Sequence, residues 1–116
     1  GYQVPPAELE GKLMDHPLVN DVAVIGVEDK ENHEEVPRAY VVHKDGKVEG
    51  EKAKSGEREI VEWMKGKVTH YKQLRGGVRF VDEVPKSASG KILRRVLKDR
   101  AKAEEQEESG KVKAKL

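Results

Sequence analysis

Residues 18–28 read LVNDVAVIGVE and constrain the fold more than any other stretch. Val22 and Val24 alternate with Ala23, Ile25 and Val27, and both sets are apolar. A strand that is apolar on both sides has to be buried on both sides, so the sheet that contains it needs cover above and below. Residues 36–43, VPRAYVVH, repeat the signal more weakly, and Pro37 suits an edge or the beginning of a strand. The polar EDKENHEE between them reads as a turn. The expected product is a β-hairpin with a loop longer than the common kinds.

The flanking segments supply the cover. Pro5 and Pro6 fit a first helical turn, where a missing N–H costs nothing, and Glu8 and Glu10 lie near the positive end of the helix dipole. Leu9 and Leu13, one turn apart with Met14 beside them, make a buried stripe, and Pro17 stops the helix. Residues 44–56 carry no periodicity and read as a flexible loop. From Glu57 a second helix is expected, with Ile60, Val61, Met64 and Val68 on one face and Trp63 at its border. VRFVDEV at 78–84 alternates as a half-buried strand. PKSASG at 85–90 has turn composition, with Ser89 the N-cap of a last helix that starts near Lys91 and uses Ile92, Leu93, Val96 and Leu97 as its apolar face. Counting residues 1–4 as a short strand, the expected fold is α+β: a small, mainly antiparallel sheet covered by helices. Residues 1–98 form one domain, and 99–116 are a fraying helix and disordered tail.

Composition closes several functional classes. The 23 Lys+Arg against 22 Asp+Glu lack the basic excess of an electrostatic nucleic-acid binder. Without cysteine there is no disulfide framework, thiolate zinc site or cysteine nucleophile. No apolar run approaches the length of a membrane span, and GYQVPPAELE is no signal peptide, so a soluble intracellular protein is expected. His16, His33, His43 and His70 lack metal-ligand spacing, so no metal site is expected. Ser55, Ser87, Ser89 and Ser109, expected in loops or tail, lack the context of a nucleophile.

VPKSASGKILRR at 84–95 is the most informative segment. Gly90 allows a sharp turn that leaves room for a ligand, and a lysine at a helix start stands beside free N–H groups that favour anions. Lys91 would then offer a point charge to a phosphate or carboxylate oxygen. On pattern alone, a capped surface helix with ordinary charges accounts for these residues better. A basic-helix nucleic-acid module using Lys91, Arg94, Arg95, Lys98, Arg100 and Lys102 is the competing function, weakened by the run Glu104, Glu105, Glu107 and Glu108 and by the lack of interleaved aromatics.

Pro85-Lys86-Ser87-Ala88-Ser89-Gly90-Lys91 resembles the carboxy-terminal signature of the adenylate-forming enzymes, which include acyl-CoA synthetases, peptide-synthetase adenylation domains and luciferases. GYQVPPAELE resembles the segment just after that superfamily's hinge, and HPLVNDVAVIGVED, EVPRAYVV and YKQLRGGVRFVDEV match in order and spacing. The resemblance spans about residues 1–98 and is strongest to 4-coumarate–CoA ligase and its luciferase and acyl-CoA ligase relatives. It implies a mobile carboxy-terminal domain that rotates between two steps: acyl-AMP formation from ATP and a carboxylic acid, then thioester formation with CoA. Lys91 matches the adenylation lysine, with Lys86 and Gly90 as accessories. Gln3 matches a glutamine associated with the adenylate, and Gly1 and Tyr2 match the segment that meets CoA, although a packed junction aromatic fits Tyr2 equally. A solvated turn accounts for Lys72 and Arg75 better than CoA phosphates do. The implied substrates are ATP with Mg²⁺ held mainly outside this domain, and CoA; the implied partner is an amino-terminal adenylation domain of the same protein, with no nucleic acid or membrane. Because hinge and phosphate loop are not in the sequence, it is expected to be an excised domain, inactive alone. Ala114-Lys115-Leu116 resembles the peroxisomal tripeptide Ser-Lys-Leu, which implies an import receptor and a peroxisomal location, with the cytoplasm as alternative.

Overall fold

The computed structural model describes the backbone of residues 3–115 and the side chains of residues 3–108. Helix α1 spans Pro6–Leu13, strand β1 Val19–Asp29, β2 Glu34–His43, helix α2 Gly50–Lys65, β3 Val78–Phe80 and helix α3 Arg94–Lys115. The sheet order is β1-β2-β3. β1 and β2 pair antiparallel with Val24 opposite Ala39, and β2 and β3 pair parallel with Val41 opposite Phe80. The α+β class holds, and the sheet is mixed: α2 carries the chain over one face between β2 and β3, which puts β3 parallel.

The two parities of β1 face two separate cores. Val22 and Val24 join Leu9, Leu13, Ala39, Val41, Ile60, Met64, Leu74 and Val78 on the α1/α2 side. Ala23 and Ile25 join Tyr40, Val81, Val84, Leu97 and Ala101 on the α3 side. Each fully buried large aliphatic contributes about 1.5–3 kcal/mol, so the first cluster dominates the stability of the fold.

Several boundaries differ from expectation, each for a physical reason. The hairpin loop is only Lys30–His33, because both strands extend into the charged residues. β2 is the central strand, and Pro37 precedes the stretch paired with β3, whose ladder begins where the Ala39 N–H donates to the Gly77 carbonyl at 3.0 Å. Gly76 is obligatory beside it, since a Cβ there would meet the Pro37 oxygen at 2.8 Å. Helix α2 starts at Gly50 rather than Glu57 and so contains Ser55. Its buried face runs Gly56, Ile60, Met64, and the first of these is a glycine packed under Phe80, which a search for apolar periodicity passes over. Gln3 and Val4 form no strand, and Gly1 and Tyr2 lie outside the described residues.

The expectation after Leu97 is a fraying helix and tail; the helix assigned there, α3, runs on to Lys115 and takes in Ser109. Its buried stripe ends at Ala101 and gives way to ion pairs on partly exposed side chains. Leu97 and Ala101 are followed by Glu104, which accepts from the Tyr40 hydroxyl at 3.2 Å and pairs with Arg79 at 3.6 Å and Arg100 at 3.3 Å. Glu105 pairs with Lys30. Ala, Glu, Lys and Gln are good helix formers, which supports the same outcome. No helix among the described residues is long and apolar enough to cross a membrane.

Candidate functional site

Lys91 does not start a helix. It stands in a tight loop closed by an antiparallel bridge between Lys86 and Ile92. The Ser87 N–H donates to the Lys91 carbonyl at 2.9 Å, and the Gly90 N–H donates to the Ser87 carbonyl at 2.9 Å. The Lys91 N–H donates to Ser87 Oγ at 3.2 Å, so it is not a free anion-binding donor. Ser89, expected as a helix cap, instead has its hydroxyl 3.0 Å from that of Ser87. Gly90 takes φ +86°, a left-handed conformation that makes glycine the economical residue here, and open space lies where a Cβ would be. The helix begins three residues later, at Arg94.

The loop is anchored on both sides. Lys86 pairs with Asp21 at 2.7 Å. Arg94 Nη2 donates to Glu10 Oε1 at 2.8 Å and to Oε2 at 3.0 Å. Glu10 Oε2 also accepts the Val24 N–H at 2.8 Å. Burial holds the Glu10 carboxyl above its usual range, against the pull of the Val24 N–H and the Arg94 guanidinium. Behind the loop, Val84 and the partly buried Ile92 enter the α3-side core. The Lys91 residue itself is exposed, and its ammonium makes no hydrogen bond or ion pair with the described residues. A rigid loop thus presents an uncommitted positive charge to whatever docks against it.

The other predicted residues are dispersed. Lys86 and Gly90 share the Lys91 loop, with Lys86 committed to Asp21. Gln3 is exposed at the beginning of the described chain, and no hydrogen bond or ion pair joins it to Lys91. Its neighbour Val4 lines a cleft with Gly26, Glu35, Arg94 and Lys98, so the amino-terminal segment passes close to the start of α3. Lys72 pairs with Glu8 at 2.9 Å, and Arg75 with Asp29 at 3.2 Å and Glu34 at 2.6 Å, as expected of an ordinary charged turn. His16 and His43 are buried and locally bonded. Nδ1 of His16 accepts from the Leu18 N–H at 3.0 Å, and Nδ1 of His43 from the Asp45 N–H at 3.0 Å. Among the described residues no three His, Cys, Asp or Glu side chains converge as a metal site. Ala114 and Lys115 end helix α3, and Leu116 lies outside the described residues. Sequence reasoning missed the anchoring roles of Glu10, Asp21 and Arg94, because each depends on contacts between distant segments.

Residues 8–91 match the family described as AMP-binding enzyme C-terminal domain. The chain belongs to that family. The matched segment ends on Lys91 itself. Among relatives of this AMP-binding enzyme C-terminal domain, a protein of Emericella nidulans named "Putative acyl-coenzyme A synthetase" is 53% identical over 104 residues, covering 89% of this chain and 18% of that protein. A Dictyostelium discoideum protein named "Probable 4-coumarate--CoA ligase 1" is 46% identical over 99 residues, 85% of this chain and 17% of that protein. The structure of an anthranilate CoA ligase in complex with anthranoyl-AMP superposes with a TM-score of 0.70 at 36% identity, covering 84% of this chain and 18% of that one. The domain therefore spans under a fifth of the length of the proteins it resembles.

Proposed function

We propose that the chain is the mobile carboxy-terminal part of an AMP-forming acid–CoA ligase of the 4-coumarate–CoA ligase type. The observation that carries the proposal is the state of Lys91: the last residue of the family match is held on a closed loop with its ammonium exposed and unpaired among the described residues. In the first half-reaction the acid's carboxylate oxygen attacks the α-phosphorus of ATP, the bond to pyrophosphate breaks, and acyl-AMP forms. Negative charge gathers between the carboxylate and the α-phosphate oxygens, and the Lys91 ammonium neutralises it there. A fixed charge aimed at developing charge is worth more than a mobile one, since it need not reorganise during the reaction. In the second half-reaction the CoA thiol displaces AMP, and Gly1, Tyr2 and Gln3 belong to the face presented then. The substrates are ATP with Mg²⁺, an acid and CoA. In this reading the Mg²⁺ travels with the ATP phosphates and is held mainly outside this domain.

The test separates the half-reactions in the full-length enzyme. Lys91→Ala should lower acid-dependent ATP–pyrophosphate exchange by about 10²–10³ while thioester formation from preformed acyl-AMP continues. Equal loss of both steps would refute the division of roles. The isolated chain should release no AMP from acid, ATP and CoA. We also propose that Ala114-Lys115-Leu116, where it forms the carboxyl end of the protein, directs it to peroxisomes; a reporter carrying these last residues should become punctate there, and diffuse staining sinks the idea.

A further inference from the structure

β1 is an edge strand of the sheet, so the Val24 N–H on its outer side has no neighbouring strand to bond. Glu10 of α1 satisfies it through Oε2 at 2.8 Å. The same carboxylate spans Arg94, and its side chain is only 13% exposed. A neutral acceptor such as glutamine would satisfy the Val24 N–H as well, and a half-buried ion pair forfeits hydration, so stability alone does not single out a carboxylate here. What it does achieve is geometric. It ties three segments far apart in sequence to one point: the middle of α1, the edge of β1 and the first residue of α3. Arg94 follows Lys91 by three residues, and the Leu93 N–H between them donates to the Pro85 carbonyl at 2.9 Å. The end of the loop that carries Lys91 therefore has its position and direction set by the Glu10–Arg94 contact. The opposite end is tied by Lys86 to Asp21, also on β1, in a pair whose side chains are 40% and 33% exposed and so more screened by water.

We propose that Glu10 is a positioning residue for Lys91, acting through Arg94 to fix the loop on the edge of β1. This rests on the reading of Lys91 as the adenylation lysine. Glu10 touches no reacting atom. Its effect is to hold the ammonium where the carboxylate and α-phosphate oxygens meet, and a misplacement of about 1 Å can cost on the order of a hundredfold in rate.

The experiment uses the full-length enzyme with Glu10→Gln, Arg94→Lys, Lys91→Ala and the double variant Glu10→Gln/Lys91→Ala. In Glu10→Gln the amide oxygen can still accept the Val24 N–H, but the charge that holds Arg94 is gone; Arg94→Lys keeps the charge and loses the planar group that reaches both oxygens. Either variant should lower kcat of the pyrophosphate exchange about ten- to a hundredfold, with little change in KM for ATP. Thioester formation from preformed acyl-AMP should persist, and the Ser87 and Gly90 amides should exchange hydrogen faster. In the Lys91→Ala background Glu10→Gln should add nothing, since its whole effect passes through that lysine. Wild-type adenylation in both Glu10→Gln and Arg94→Lys, alongside a defective Lys91→Ala, would overturn the positioning role and leave the lysine's role standing. Wild-type adenylation in Lys91→Ala would overturn both. Equal damage to both half-reactions in Arg94→Lys and Glu10→Gln would mark the pair as merely structural.

Discussion

On one side of the sheet, α1 and α2 press Leu9, Leu13, Ile60 and Met64 against Val22, Val24, Ala39 and Val41, and all are almost wholly withdrawn from water. On the other, α3 brings only Leu97 and Ala101 to the strands and then turns to carboxylates, with Glu104 on Tyr40, Arg79 and Arg100 and Glu105 on Lys30. The first side is held by apolar area, which salt scarcely affects; the second is held in part by charges that water and salt screen. The Lys91 loop is built on the second side, with Val84 and Ile92 in the smaller core and Glu10 and Asp21 as outside anchors.

Truncating equivalent leucines tests the division most severely. Leu13→Ala should cost about 2–5 kcal/mol of unfolding free energy, because the site is enclosed by two helices and the sheet. Leu97→Ala should fall toward the lower end of that range, since a single helix over a small core can settle into the space. Urea unfolding of the two variants measures the difference, and a larger loss at Leu97 would invert the comparison.

The same division explains what the sequence disclosed. The α1/α2 side is written in side chains with the periods of a helix and a strand, so Leu9, Leu13, Ile60, Met64 and both parities of β1 were legible. The start of α2 was hidden because its buried face begins at Gly56, which contributes no apolar signal. The length of α3 was hidden because beyond Ala101 its tertiary contacts are polar, as with Glu104, whose partner Tyr40 is 64 residues away. The parallel pairing of β3 follows from where α2 lays the chain, and a strand of three residues carries no such information. At the site, the turn at 85–90 was legible in its composition, but its extent was not: the Lys91 carbonyl accepts from the Ser87 N–H and the helix waits until Arg94, where a start near Lys91 was expected. Glu10 and Arg94 are 84 residues apart, and no local pattern could join them.

A smaller effect concerns the polar half of α3. Tyr40 is buried, and burial holds its hydroxyl pKa above the ordinary value of 10.0, so near neutrality it donates to Glu104 as a neutral phenol. Tyr40→Phe should cost about 1 kcal/mol, because Glu104 keeps Arg79 and Arg100 as partners and is not left alone. Amide exchange along α3 should quicken in the variant, while the α1 and α2 amides keep their protection. Loss of protection on both sides would mean that the two faces are not independent.

The smallest expected effect reads pH on the apolar side. Burial lowers the pKa of His16 from 6.5, and the nearby Glu59 carboxylate opposes that shift, which limits its size. With Nδ1 accepting from the Leu18 N–H, the ring proton sits on Nε2, 3.0 Å from Glu59. The folded state thus prefers the neutral ring, whereas the unfolded chain takes up a proton near its ordinary pKa. As pH falls below about 6.5 the unfolded state binds more protons, so stability falls with it until the folded-state pKa is passed; above that range the histidine contributes no pH dependence. His16→Asn places an acceptor near the position of Nδ1 and cannot titrate. Between pH 7 and the onset of carboxylate titration, the Tm of the native chain should therefore decline more than that of the variant. Parallel curves would show that His16 keeps its ordinary affinity for a proton, and that the apolar side is less closed to water than its packing indicates.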